Sequence, residues 1–295
     1  MKQTILIILI SYSLNIQAQS FLVLDSFSLT SPDENSLKTS DLLDKVNWEG
    51  IKEYCDTTNG FSAKMNKDGL ITNYCYSKTK GPDSYFTINS FNGFVLEYYS
   101  NITHTTKPIE TSYFDRKLWK SYVKEQLPEL PDSFLLRSRE SSEIMKAYYI
   151  LLGVDSRDEY GWICEYSTMG ALTTRRSAVI EIVRNQRVDL LRRMLDYPNI
   201  QTQLYAADGL IYIDSVNKKL FKGVKKNDSY TKRLLKSFIL TKSDWEKIYS
   251  IRDSEKLVKT CGNCGSYKIY KKKASTLLSK KAIAEHIKNY NFHVN

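Results

Sequence analysis

The stretch Val188-Asp189-Leu190-Leu191-Arg192-Arg193-Met194-Leu195-Asp196 is followed by a turn carrying Pro198-Asn199. Gln201 to Ile213 comes next and includes Tyr205-Ala206-Ala207-Asp208-Gly209-Leu210. Apolar residues recur at helical spacing on both sides of the turn, so the sequence predicts a pair of short helices here. Nearly everything around this pair is helical in character. Ser138 to Leu152 opens with Ser141-Ser142-Glu143 ahead of an apolar stripe of Ile144, Tyr148, Leu151 and Leu152. Arg175 to Asn185, Lys232 to Leu240, Ser243 to Ile251 and Ala274 to Tyr290 continue the series.

Toward the N-terminus the pattern changes. Phe61 to Met65 and Leu70 to Tyr76 flank Asn66-Lys67-Asp68-Gly69, whose Asp-Gly is a hairpin signal. Tyr85 to Asn89 and Phe94 to Tyr99 follow, separated by a stretch ending in Asn92-Gly93. Four short strands rich in aromatic and β-branched residues predict an antiparallel meander. Its tyrosines suit either a half-buried sheet face or an exposed aromatic ligand face. Asp41 to Tyr54 reads as a helical entry to this part, and Thr111 to Leu127 as a helix ended by Pro128. Leu127-Pro128-Glu129-Leu130-Pro131-Asp132 reads as a linker, which puts a domain boundary at about residue 133.

The 188–213 stretch resembles a HEAT-type repeat. The resemblance implies two antiparallel helices, with Ala206 and Ala207 as the small residues that let them pack closely and Asp196 as the turn aspartate. Where that family often has arginine in the second helix, this chain has Gln203. The likeness covers about 26 residues, and 139–183 reads as degenerate earlier helices. The chain as a whole also resembles exported bacterial proteins without an assigned activity. The fold class expected is therefore α+β. A small antiparallel meander domain, 40–132, precedes an all-α HEAT-like domain, 133–295.

The first residues read as an export signal. Lys2 supplies a positive start, Thr4 to Leu14 is uncharged and mostly apolar, and Asn15-Ile16-Gln17-Ala18 ends on a small residue. Cleavage after Ala18 would leave a loose lead-in, 19–39, and place the product in the periplasm or outside the cell. The apolar run is well short of the ~20 residues a spanning helix needs, and no later segment is apolar enough to span. An oxidising compartment changes how the five cysteines read. Cys55 and Cys75 could close a loop for ~3 kcal/mol or simply be small buried side chains. Cys261 and Cys264, in Thr260-Cys261-Gly262-Asn263-Cys264-Gly265, are a candidate disulfide, with Gly262 and Gly265 easing the tight ring. Thiol–disulfide exchange would need an acidic first thiolate, and a zinc site would need a second ligand pair.

Charge is uneven. Residues 214–295 hold 20 Lys and Arg against 7 Asp and Glu, a net of +13, while the rest of the chain nets −3. This basic quarter reads as a solvated face, or as weak attraction for a polyanion through lysines such as Lys271-Lys272-Lys273 and Lys280-Lys281. With only three histidines, and no G-x-S-x-G, H-E-x-x-H, Walker or G-x-G-x-x-G motif, common hydrolase, zinc and nucleotide chemistries find no foothold. His104, His286 and His293 read as solvated side chains. The acidic-aromatic run of Asp155, Asp158, Glu159, Tyr160, Trp162 and Glu165 reads as an acidic helix start before a buried Trp162. Paired acids beside aromatics would also suit sugar cleavage. No catalytic, cofactor or metal residue is assigned. The function expected is recognition of a protein partner by a helical surface. The alternatives are an enzyme with dispersed residues, drawn from 155–166 or Cys261 and Cys264, and a polyanion-binding surface protein.

Overall fold

The computed structural model describes residues 61–68, 71–78, 84–102, 109–136, 140–154, 160–162, 172–261 and 269–294. The export signal, the lead-in, the 41–54 helix, Cys55, His104, Asp155 to Glu159, Glu165 and Cys264 lie outside them, as do both disulfides considered above. The layout is α+β and mostly helical, in two compact units that divide between Phe114 and Asp115.

The first unit is a five-stranded antiparallel meander, in the order β1 (Phe61–Asp68), β2 (Ile71–Lys78), β3 (Ser84–Phe91), β4 (Phe94–Ile102) and β5 (Ile109–Phe114). Asn92 and Gly93 both take positive φ, 52° and 81°, which a two-residue turn between twisted strands requires. Ile88, Leu96 and Tyr98 are buried, and Tyr98 stacks on its β5 register partner Tyr113 at 5.6 Å. The fifth strand corrects the sequence reading, which ran the next helix from Thr111. Thr111 and the aromatic Tyr113 and Phe114 suit the ladder offered by β4, and the helix begins only at Arg116. Asp115 stops the strand by accepting from the amides of Lys117 and Leu118 at 2.9 and 2.8 Å.

The second unit starts with α1 (Arg116–Gln126). The 127–132 stretch, read as a linker, therefore lies within this unit, and Arg116 reaches forward to the carbonyl of Glu140. Next come a 3₁₀ turn (Asp132–Phe134), α2 (Ser142–Leu152), α3 (Thr174–Arg184), α4 (Val188–Met194) and α5 (Ile200–Gly223). Side-chain caps from Ser141, Thr173 and Asn199 open α2, α3 and α5. Leu191, Leu204, Ala206, Ala207 and Leu210 are sealed in the core. Gly209 lets α5 approach α3 and α4 closely, because a Cβ there would come within 3.0 Å of a Val183 methyl.

The α5 helix runs ten residues past the expected Ile213. Its buried polar groups are matched: Asp214 accepts from the Leu240 amide at 2.9 Å and from Lys218 at 2.7 Å, and Asn217 donates to the Ile213 carbonyl. Asp196 pairs with Lys247, and Gln203 donates to the Leu195 carbonyl. The chain closes with α6 (Ser229–Phe238), α7 (Lys242–Asp253), a hairpin of β6 (Leu257–Cys261) and β7 (Ile269–Lys273), α8 (Ala274–Leu277) and α9 (Lys280–Val294). The hairpin is an addition to the helical unit that the sequence reading lacked, and the segment read as one helix from Ala274 is two. Among the described residues, no helix is long and apolar enough to cross a membrane.

Candidate functional site

Arg176, in the first turn of α3, is wholly buried, and so is Asp208 on α5. Unpaired, either charge would be strongly disfavoured inside a protein. The structure meets this with a bidentate pair, in which the two terminal guanidinium nitrogens donate to the carboxylate at 3.1 and 2.9 Å. Nε donates to the Gly161 carbonyl at 3.1 Å, and Nη1 also donates to the Tyr290 hydroxyl at 2.9 Å. Asp208 further accepts from the hydroxyls of Tyr160 and Tyr290 at 2.5 and 2.6 Å. The guanidinium carbon lies 4.0 Å from the Trp162 ring and 4.6 Å from that of Tyr205, so aromatic faces cover the charge.

Four segments supply these groups. The α3 helix gives Arg176, held by Thr173, whose hydroxyl accepts from the Arg176 amide. The α5 helix places Tyr205 and Asp208 on one face, three residues apart. The 160–162 segment is tied to β6, where the Tyr160 amide donates to the Lys259 carbonyl at 2.9 Å. The α9 helix turns His286 and Tyr290 inward, four residues apart.

The hydrogen bonding of His286 fixes its tautomer. The Trp162 indole can only donate, and its N–H meets Nδ1 at 2.7 Å. Nδ1 is therefore the bare nitrogen, and Nε2–H faces the Tyr160 oxygen at 3.0 Å and the Leu277 carbonyl at 3.2 Å. Burial, against the opposing pull of Asp208, holds His286 below the ordinary histidine range. Burial and then the Asp208 charge push the Tyr160 and Tyr290 phenols far above theirs. Burial opposes the charge on Arg176, but Asp208 and the surrounding phenols outweigh it and keep the guanidinium protonated.

Two expectations are corrected here. His286, read as a solvated side chain, is 7% exposed because α9 packs its inner face on the cluster. Tyr160 to Trp162 are not part of a helix: Tyr160 makes a bridge to Thr260, and Trp162 is half-buried beside His293, whose ring stacks at 5.8 Å. The acids read with them, Asp155, Asp158, Glu159 and Glu165, lie outside the described residues, as does Cys264. Cys261 ends β6. Arg176, Asp208 and Tyr290 were not singled out from the sequence. The one trace was a charged residue, Asp208, within the apolar run of α5.

Chemically the cluster is closed. Asp208 already accepts four hydrogen bonds, the usual capacity of a carboxylate, and Arg176 spends four of its five N–H groups. Such an arrangement clasps four segments together. Among the described residues, no three His, Cys, Asp or Glu side chains gather as metal ligands.

The outer helices present the opposite situation. None of the ten residues of α6 is buried, and Tyr230 and Leu234, one turn apart, are 74% and 44% exposed. Leu220, near the end of α5, and Tyr249, on α7, are also exposed. Burial along α5 stops at Asn217, and Lys218, Lys219 and Lys222 follow on the uncovered end. No family model matches this chain, and neither a curated protein nor a solved structure matches it.

Proposed function

We propose that the protein is an exported recognition module that holds a protein partner against the outer helices of its second unit. In this reading the HEAT-like pair α4–α5 is the scaffold, the Arg176–Asp208 clasp keeps it rigid, and α6 with the end of α5 is the contact surface. The observation that carries it is α6 itself. Helices of ten residues draw their stability from packing an apolar face, yet this one leaves most of Tyr230 and nearly half of Leu234 in water. Tyrosine and arginine, here Tyr230 and the neighbouring Arg233, are the residue types that dominate binding energy at protein interfaces.

A photoreactive residue at position 230, in the full chain carrying its own leader, tests the reading. A discrete crosslinked species should form from position 230, vanish with Leu234→Asp, and be absent from the exposed control position 177 on α3. Equal labelling from both positions, or none from 230, rejects the surface. N-terminal sequencing of the released protein should begin at Gln19. A product retaining Met1 inside the cell rejects export.

A further inference from the structure

The β6–β7 hairpin carries an arrangement that costs stability. Lys259 stands directly opposite Lys271 in the antiparallel register, and Leu257 opposite Lys273. Directly opposed residues project from the same face with Cβ atoms about 5 Å apart, and like charges so placed destabilise the pair. Lys271 and Lys273, two apart on one strand, share that face. The strip is thus Leu257, Lys259, Lys271 and Lys273, and all four are exposed. Lys273 has Glu255 at 2.7 Å, whereas Lys259 and Lys271 have no acidic partner among the described residues.

The strip is also held in place. On the other side of β6, Val258 and Thr260 are buried. The Lys259 carbonyl accepts from the amide of Tyr160, whose hydroxyl is fixed by Asp208 in the clasp. Lysines that serve solubility work anywhere on a surface and gain nothing from facing each other across a ladder. Two opposed ammonium groups on a fixed backbone are suited to sharing one anionic group, which removes the repulsion between them.

We infer that the exposed face of the β6–β7 hairpin, centred on Lys259 and Lys271, binds the acidic groups of an anionic polysaccharide. The residue types select this ligand over nucleic acid. Single strands are held by aromatic stacking and arginine, while this face offers three ammonium groups and one leucine. Sulfate and carboxylate share the chemistry that two lysines recognise, so both are admitted. The surface is separate from α6, and the inference does not depend on the recognition reading above.

The test uses the full exported chain on immobilised heparin and on polygalacturonate. Wild-type protein should be retained on at least one of them at low salt and released by ~0.3 M, where screening shortens the reach of exposed charges to several ångströms. Lys259→Glu should lose retention while unfolding at a higher temperature, because the new carboxylate faces Lys271 as an ion pair. Lys271→Glu should reproduce both effects from the other strand, which covers the event that one variant folds poorly. Lys236→Glu on α6 makes the same change in net charge and should leave retention near wild type. The inference is overturned if wild type is not retained, if Lys236→Glu weakens retention as much as Lys259→Glu, or if both hairpin variants bind as wild type does. Tighter, salt-resistant retention on a single-stranded oligonucleotide would overturn the choice of ligand.

Discussion

The clasp around Arg176 and the outer helix α6 are built from the same residue types, arginine and tyrosine, used in opposite ways. Inside, the charges and hydroxyls of Arg176, Asp208, Tyr160 and Tyr290 are tied to one another, and aromatic rings cover the guanidinium. Outside, Tyr230 and Leu234 are left facing water. In the proposed reading, the contrast separates what holds the second unit together from what it offers to a partner. A buried ion pair tends to cost as much in desolvation as it returns, so its value shows chiefly when one partner is lost.

The largest effect should therefore come from Asp208→Ala. It leaves a buried guanidinium and two buried phenols without their acceptor, a loss of roughly 3–5 kcal/mol. Chemical denaturation read by circular dichroism would measure it. Arg176→Met combined with Asp208→Leu should restore much of the loss, because no charge is then stranded. If Asp208→Ala unfolds at the wild-type midpoint, the clasp does not hold the unit.

Packing between helices comes next. Leu191 and Ala207 are both fully buried. Leu191→Ala should cost roughly 2–5 kcal/mol through the cavity it leaves. Ala207→Asp should be similarly damaging, since it places a charged carboxylate at a fully buried position. Wild-type denaturant midpoints for either variant would show that these positions do not face the interior.

How much was legible follows from how local each signal is. Asn92-Gly93 marked the β3–β4 turn because φ above zero is easy for those residues, and Ser141 marked the start of α2 because its hydroxyl caps it. The fifth strand was hidden because Thr111 to Phe114 reads smoothly into the apolar spacing of α1, and only the edge of β4 decides the matter. The far end of α5 was hidden because Asp214 and Asn217 look like an ending until Leu240 and Lys218 supply their partners. The clasp was least visible of all. Tyr160 and His286 meet across 126 residues, and nothing local to either announces the other.

A smaller effect should appear with pH. His286 is held below its ordinary value, so it is neutral in the folded protein at pH 7 and gains a proton more readily once unfolded. The sign follows: its contribution is complete above the unfolded value of about 6.5 and declines as the pH falls through the window between that and the lower folded value. Protonation would also cancel the acceptor that Trp162 uses. The melting temperature of wild type should drop more between pH 7 and 5 than that of His286→Gln, which cannot titrate. Parallel pH curves would remove His286 from this role.

The smallest effect on stability should come from α6, and there the comparison with the clasp is sharpest. Tyr230→Ser and Leu234→Ser remove large side chains, as the core substitutions do, but each is already substantially exposed in the folded unit. Tyr230 returns little apolar area to water on unfolding, so Tyr230→Ser should lie within about 0.5 kcal/mol of wild type, whereas Leu234→Ser, at a side chain just over half covered, should cost about 1 kcal/mol. Binding should respond the other way, since an exposed aromatic anchor that fills a partner's pocket commonly carries 2 kcal/mol or more of the ~8 kcal/mol in a micromolar complex. Thermal melts of both variants, beside crosslinking yield at a neighbouring position on α6, separate the two quantities. A melting temperature that falls as far as that of Leu191→Ala would make α6 part of the core and dismiss it as a contact surface. Unchanged melting with lost crosslinking would divide the unit as its burial pattern does, with a saturated interior for stability and an unsaturated exterior for recognition.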